Sequence, residues 1–95
     1  MRASRAIQRV AIAGLGAIGK AVARKLDEGI AGLSLSAVAV RAPVDAAAFL
    51  ETLSHPPVVV ALDALAAHAD IVIECAPAQF LVAIAEPVLR QGKKL

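Results

Sequence analysis

Tryptophan and tyrosine are absent from this 95-residue chain, and only two phenylalanines occur. A core must therefore be built from alanine, valine, leucine and isoleucine, which suits helices packed closely on a sheet. Single-stranded nucleic acid would find no aromatic platform to stack on. The single cysteine, Cys75, excludes an internal disulfide, and no Cys/His cluster has the spacing of a metal site. No apolar run approaches the roughly 18 residues of a membrane span. Charge of either sign is scarce, with a net of +2. The basic residues gather at the ends, as Arg2, Arg5 and Arg9 and again as Arg90, Lys93 and Lys94, rather than in a stripe. They read as solvated ends, and no nucleic-acid partner is expected. The basic start does precede an apolar segment, but Gly14, Gly16 and Gly19 interrupt that segment and Lys20 closes it, which is poor chemistry for an export leader. A cytoplasmic location is expected.

What the chain does have is Val10-Ala-Ile-Ala-Gly14-Leu-Gly16-Ala-Ile-Gly19-Lys20. An apolar run leads into G-x-G-x-x-G, and a helical pattern follows. Such a strand, tight turn and helix would place a dinucleotide pyrophosphate on the turn. Gly14 would reverse the chain, Gly16 would let the backbone approach the phosphates, and Gly19 would let the helix pack closely. The N–H groups of the first helical turn, with the positive end of the helix dipole, would hold the anion. NAD or NADP is the expected cofactor. Lys20 lies near enough to help attract phosphates but lacks the G-x-x-x-x-G-K-[ST] frame of a nucleoside triphosphatase.

The rest of the chain alternates strand and helix. Gln8–Ala13, Leu33–Val40, Val58–Val60 and Ile71–Cys75 read as strands. Ala17–Glu28, with Ile18, Ala21, Val22 and Leu26 on its apolar face and Gly29 as its C-cap, reads as the first helix. Pro43 opens a second helix to about Leu53, Asp63 caps a brief one to His68, and Ala78–Gln91 forms the last. Pro87 should bend that last helix or split it into two stacked segments near Glu86. Gly92 closes it, and Lys93-Lys94-Leu95 looks like the approach to a fifth strand. Four strand–helix units with short connections predict an α/β, doubly wound parallel sheet of order 3-2-1-4, cut before a fifth strand. Residues 1–95 would then be one dinucleotide-binding domain, and an N-terminal fragment. The chain is 59% hydrophobic with a mean hydropathy of +0.73. Parallel strands buried on both faces account for part of this. The remainder favours a homo-oligomer, or a missing part that covers the surface, over a lone monomer.

Val10–Arg24, and more distinctively Ala69-Asp-Ile-Val-Ile-Glu-Cys-Ala-Pro77 followed by Ile84-Ala-Glu-Pro87 and Gly92-Lys-Lys-Leu95, resemble the N-terminal domain of the L-aspartate dehydrogenase family. The wider relatives are homoserine dehydrogenase-like Rossmann domains. The resemblance covers nearly the whole chain, least well between Arg41 and Pro57. It implies oxidation of aspartate to iminoaspartate with NAD or NADP, the imine hydrolysing to oxaloacetate or feeding NAD synthesis. It also implies that the catalytic histidine and the residues binding the amino-acid substrate follow the fifth strand. His55 and His68 lie in the wrong segments to replace that histidine, so this chain alone would be inactive. A stand-alone nucleotide-binding module and a truncated remnant are the alternatives.

The candidate cofactor-binding residues are Gly14, Gly16, Ala17, Ile18, Gly19, Arg41, Cys75, Ala76 and Pro77. Arg41 follows the second strand, where an NAD site usually places an acid on the ribose hydroxyls. An arginine suits a 2′-phosphate instead, and a solvated loop residue is the plainer alternative. Asp27 and Glu28 are nearer the usual spacing but sit at a helix end. Glu74 ends a strand, where an acid more often bonds backbone than does chemistry. Cys75 reads as a small core residue, since nothing near it in sequence would activate the thiol. Ala76-Pro77 forms a turn of small residues against which a nicotinamide ring could lie. No catalytic set and no metal set is present.

Overall fold

The computed structural model describes residues 7–41, 43–75 and 81–95. Four strands, β1 (Gln8–Ala13), β2 (Leu33–Ala39), β3 (Val58–Val59) and β4 (Ile71–Glu74), pair in parallel in the order β3-β2-β1-β4. This is the expected doubly wound order. Helices α1 (Ala17–Glu28), α2 (Pro43–Leu50) and α3 (Leu81–Arg90) and a 3₁₀ helix (Leu62–His68) link the strands or follow them.

Successive residues of β1 face opposite sides, as the pleat requires. Val10 and Ile12 join Ala23 and Leu26 of α1 and Phe49 of α2. Ala11 and Ala13 join Leu65 of the 3₁₀ helix and Ile84 and Val88 of α3. The two layers differ in bulk. On the α3 side β1 and β2 present only Ala11, Ala13, Ala37 and Ala39, all at most 4% exposed, and β4 adds Val72, so that layer rests largely on small side chains.

β2 changes phase midway. Val10 pairs with Leu35 but Ala11 pairs with Ala37, so Ser36 is an extra residue, a bulge in a parallel pair. Leu33 and Leu35 consequently face the α1 side, while Ala37 and Ala39 face α3. The Ser36 hydroxyl lies 2.7 Å from the His68 carbonyl and 3.1 Å from that of Val10, and its one proton ties the bulge to the end of the 3₁₀ helix.

Several local expectations need correction. The face of α1 turned to the core carries Gly19, Ala23 and Leu26, whereas Ile18 is 73% exposed and Ala21 is exposed. Gly19 has to face inward at the glycine turn, and that turns Ile18 outward. Asp63 is not a cap: the short helix is 3₁₀, begins after Ala61, and carries Asp63 in its first turn. α2 ends at Leu50 and continues as turns, in which Thr52 and Leu53 N–H donate to the Phe49 and Leu50 carbonyls. Val40, Val60 and Cys75 fall just outside their strands, although the Val60 N–H still donates to Val38 and the Cys75 N–H to Ala13. α3 passes through Pro87 as one element rather than two stacked segments. The expected start of that helix, Ala78 to Phe80, lies outside the described residues.

The glycine stops behave as expected. Gly29 caps α1 with φ 121° and donates its N–H to Lys25. Gly92 takes φ 72°, its N–H reaching the Leu89 carbonyl and that of Lys93 reaching Val88, which closes α3 in a Schellman motif. Beyond it, Lys94 bridges Ile71 in parallel: the Lys94 N–H donates to Asp70 and the Val72 N–H to Lys94. The approach to a fifth position beside β4 is therefore present in this chain.

Candidate dinucleotide site

The carboxyl ends of β1, β2 and β4 meet at one edge of the sheet. Two hydrogen bonds fix the meeting: Gly14 N–H to the Ala39 carbonyl and Cys75 N–H to the Ala13 carbonyl, both 2.8 Å. Gly14 holds φ 97°, a conformation that side chains rarely adopt, and it turns the chain off β1 toward α1. At Gly19 a Cβ would collide with the Gly14 carbonyl oxygen, and it would lie 3.1 Å from the Gly14 carbonyl carbon and 3.6 Å from the Cys75 Cβ. Only a residue without a side chain lets α1 start this close to the turn.

Gly16 is different. Its backbone is extended (φ −77°, ψ −162°), which any residue can adopt, and a Cβ there would meet nothing within 4 Å. Nothing in the fold itself requires glycine here. Gly16 is also the N-cap of α1, with no side-chain cap and no acid in the first turn. The N–H groups of Ala17, Ile18 and Gly19 precede the first helical hydrogen bond, Lys20 N–H to the Gly16 carbonyl at 2.9 Å. An open space thus stands before an uncapped helix end carrying the positive pole of the helix dipole. These residues fit a pyrophosphate.

Arg41 lies just past β2 on this edge and is exposed. Cys75 is half-buried, and burial, with a smaller push from the Glu74 charge, raises its thiol pKa. The thiol is accordingly neutral near pH 7. Ala76 and Pro77 lie outside the described residues. Lys20 does not extend over the turn: its Nζ sits 5.6 Å from the centre of the Phe49 ring, beside the Arg24 guanidinium at 4.9 Å. These cation–π contacts fasten α1 to α2, each worth about 0.5–1 kcal/mol at an exposed site.

Asp27 has a task that its sequence context did not reveal. Its carboxylate accepts the Ser54 and His55 N–H groups at 2.8 and 2.9 Å and so clasps the α2–β3 loop. Those two bonds hold its pKa below the ordinary 3.8. It lies beside the amino-terminal half of β2, away from the glycine turn. Asp70 plays a similar part, accepting the Arg9 N–H at 2.8 Å and pairing with its guanidinium at 3.4 Å. The exposed His55 lies 4.0 Å from Asp27, and His68 ends the 3₁₀ helix before β4, so neither reaches the carboxyl edge. Among the described residues no group of three or more His, Cys, Asp or Glu could hold a metal ion, and no helix is long and apolar enough to cross a membrane.

The sequence pattern of the family described as "Homoserine dehydrogenase, NAD binding domain" matches residues 14–95, which takes in the glycine turn and every element after it. The chain belongs to that family. Its fold is the Rossmann fold of nicotinamide-dependent oxidoreductases, and its cofactor is a nicotinamide dinucleotide. It is similar to the L-aspartate dehydrogenase of Bradyrhizobium diazoefficiens, with 56% identity over 85 residues, 90% of this chain and 30% of that protein. It is also similar to L-aspartate dehydrogenase 3 of Bordetella bronchiseptica, with 54% identity over 87 residues, 90% of this chain and 32% of that one. The chain therefore spans about a third of the length of these relatives. Among solved structures, scyllo-inositol dehydrogenase from Lactobacillus casei with bound NAD(H) and scyllo-inositol superposes with a TM-score of 0.76 at 26% identity, over 90% of this chain and 26% of its own. A putative myo-inositol dehydrogenase from Sinorhizobium meliloti gives 0.74 at 32%, again over 90% of this chain and 26% of its own.

Proposed function

We propose that this chain is the cofactor-holding domain of an L-aspartate dehydrogenase-type oxidoreductase. The observation that carries the reading is the open space at Gly16 before the uncapped start of α1. Gly14 turns the chain, Gly19 brings α1 close, and the N–H groups of Ala17, Ile18 and Gly19 hold the pyrophosphate. The exposed side chain of Ile18 borders the same space, and Cys75, just past β4, is the described residue assigned to the nicotinamide side. When bound, the nicotinamide accepts or gives a hydride at C4. The domain's own work is to fix the dinucleotide and present that carbon at the sheet edge.

On this reading aspartate is the substrate, and its binding and catalytic residues lie in the two-thirds of the relatives that this chain does not span. The similarity to two L-aspartate dehydrogenases above 50% identity supports that choice. Arg41 supports acceptance of NADP, because a guanidinium pairs with a 2′-phosphate where an acid would repel it. The high apolar content supports assembly into a homo-oligomer, and a cytoplasmic location is part of the same proposal.

The test is a titration of the purified chain with NADH and NADPH, followed by fluorescence of the reduced nicotinamide. Gly16→Val puts a side chain where the phosphates lie and should weaken binding more than tenfold. Equal dissociation constants for the native and Gly16→Val proteins would refute the site.

A further inference from the structure

We infer that Lys20 helps to determine cofactor choice: its ammonium, held on the Phe49 ring, is a second cation for the 2′-phosphate of NADP beside Arg41. The inference rests on the reading that the Gly14–Gly19 turn holds a dinucleotide and that Arg41 meets its 2′-phosphate. It assigns Lys20 to the adenosine end of that dinucleotide rather than to the pyrophosphate.

Lys20 leaves the first turn of α1, where its N–H donates the first helical hydrogen bond to the Gly16 carbonyl. Its side chain runs toward α2, with Nζ 5.6 Å from the centre of the Phe49 ring. That ring belongs to the cluster against which Leu15 of the glycine turn and Val40, the residue before Arg41, also pack. Lys20 thus stands on the side of α1 that faces the end of β2. The Arg24 guanidinium lies on the same ring at 4.9 Å, and like charges four residues apart on a helix repel. Among the described residues no carboxylate pairs with either cation. What the arrangement lacks is an anion. A phosphate monoester carries a charge of about −1.5 to −2 at pH 7, more than one guanidinium neutralises. A cation–π contact at an exposed site is weak enough to be exchanged for a charge-assisted hydrogen bond to it. Lys20 rather than Arg24 makes that exchange, because four residues set it one turn, about 6 Å, nearer the carboxyl edge.

The experiment titrates the purified chain and its variants with NADPH and NADH, which differ only in the 2′-phosphate. Lys20→Gln should weaken NADPH about tenfold and NADH by less than about twofold. Lys20→Arg should keep the native NADPH/NADH affinity ratio. Arg24→Gln removes the other cation from the same ring and should leave both affinities within about twofold of native. With 2′,5′-ADP and 5′-AMP as competitors of NADPH, the loss in Lys20→Gln should be confined to 2′,5′-ADP. Equal losses of NADPH and NADH in Lys20→Gln would mean that Lys20 serves the pyrophosphate, and would overturn the inference. So would an unchanged ratio, or a ratio that falls as far in Arg24→Gln, since net charge alone would do that. Native protein that binds NADH but not NADPH would overturn the inference together with the reading of Arg41, and leave the glycine turn standing. Native protein that binds neither would overturn the dinucleotide reading itself, and this inference with it.

Discussion

Substituting alanine at Gly16 and at Gly19 should have opposite consequences, although the two residues are three apart in one motif. At Gly19 the new Cβ overlaps the Gly14 carbonyl oxygen and comes within 3.1 Å of its carbon. Backbone rather than a flexible side chain must give way. Overpacking of this kind costs about 1–3 kcal/mol, and the better helix propensity of alanine returns about 1 kcal/mol. Because backbone must yield, the overpacking lies at the upper end of that range, so a net loss of about 2 kcal/mol is expected, or a fall in Tm of about 8–16 °C for a domain of this size. At Gly16 the Cβ enters open space on a backbone that alanine adopts without strain. The slightly poorer N-cap and the reduced entropy of the unfolded chain nearly offset each other, leaving stability within about 0.5 kcal/mol. NADH affinity, in contrast, should fall for Gly16→Ala despite the unchanged Tm, because the methyl group occupies the volume meant for phosphate. Thermal unfolding by circular dichroism and NADH titration of the two variants check both halves. A Gly16→Ala protein as destabilised as Gly19→Ala would show that Gly16 serves the fold, and one of native affinity would show that the open space holds no phosphate.

Three further outcomes follow. Arg41→Glu should cost NADPH about one to two orders of magnitude in affinity, since a charge-assisted hydrogen bond contributes roughly 1.5–3 kcal/mol, and should leave NADH nearly unchanged; an unaltered NADPH/NADH ratio in paired titrations at fixed salt would mean that Arg41 makes no contact with a 2′-phosphate. The purified chain should produce no NADH or NADPH from aspartate, and activity should appear only when the remaining part of the relatives' length is supplied; steady turnover by the chain alone would contradict the assignment of its role. Asp27 and Asp70 have folded pKa values below the ordinary 3.8, so their contribution to stability is complete above that value and is lost as the pH falls through the lower folded values; Asp27→Asn should flatten the acid limb of a Tm-against-pH curve, and an unchanged limb would mean that the loop clasp contributes nothing.

Strand order, the glycine turn and the stops at Gly29 and Gly92 were legible because each has a local cause: apolar runs, a fixed spacing, or a residue able to take positive φ. The inward face of α1 was not. Two stripes that share Val22 and Leu26 compete there, and the one that wins contains Gly19, to which hydropathy gives no weight. What decides is contact with Gly14, a fact of packing. The bulge at Ser36 shows the reverse: Leu33-Ser-Leu-Ser-Ala-Val-Ala-Val, alternating and then wholly apolar, carries the phase change openly once an extra residue is allowed. Asp27 escaped notice because its partners are backbone N–H groups at Ser54 and His55, and backbone donors leave no signature in residue type. Arg41, Ile18 and the glycines were found at the edge where the motif put them, while Ala76 and Pro77 lie outside the described residues.

The alanines that line one side of the sheet make the two sides unequal in what they tolerate. On the α1 side, Val10, Ile12, Leu26 and Phe49 interlock, and a lost methylene there can be taken up in part by rearrangement of large neighbours. On the α3 side, β1 and β2 give only Ala11, Ala13, Ala37 and Ala39, which have little to lose, so Val72 of β4 with Leu65, Ile84 and Val88 supplies the bulk of that layer. Sequence drift in this domain should therefore be permissive beneath α1 and α2, and nearly frozen at the strand positions beneath α3.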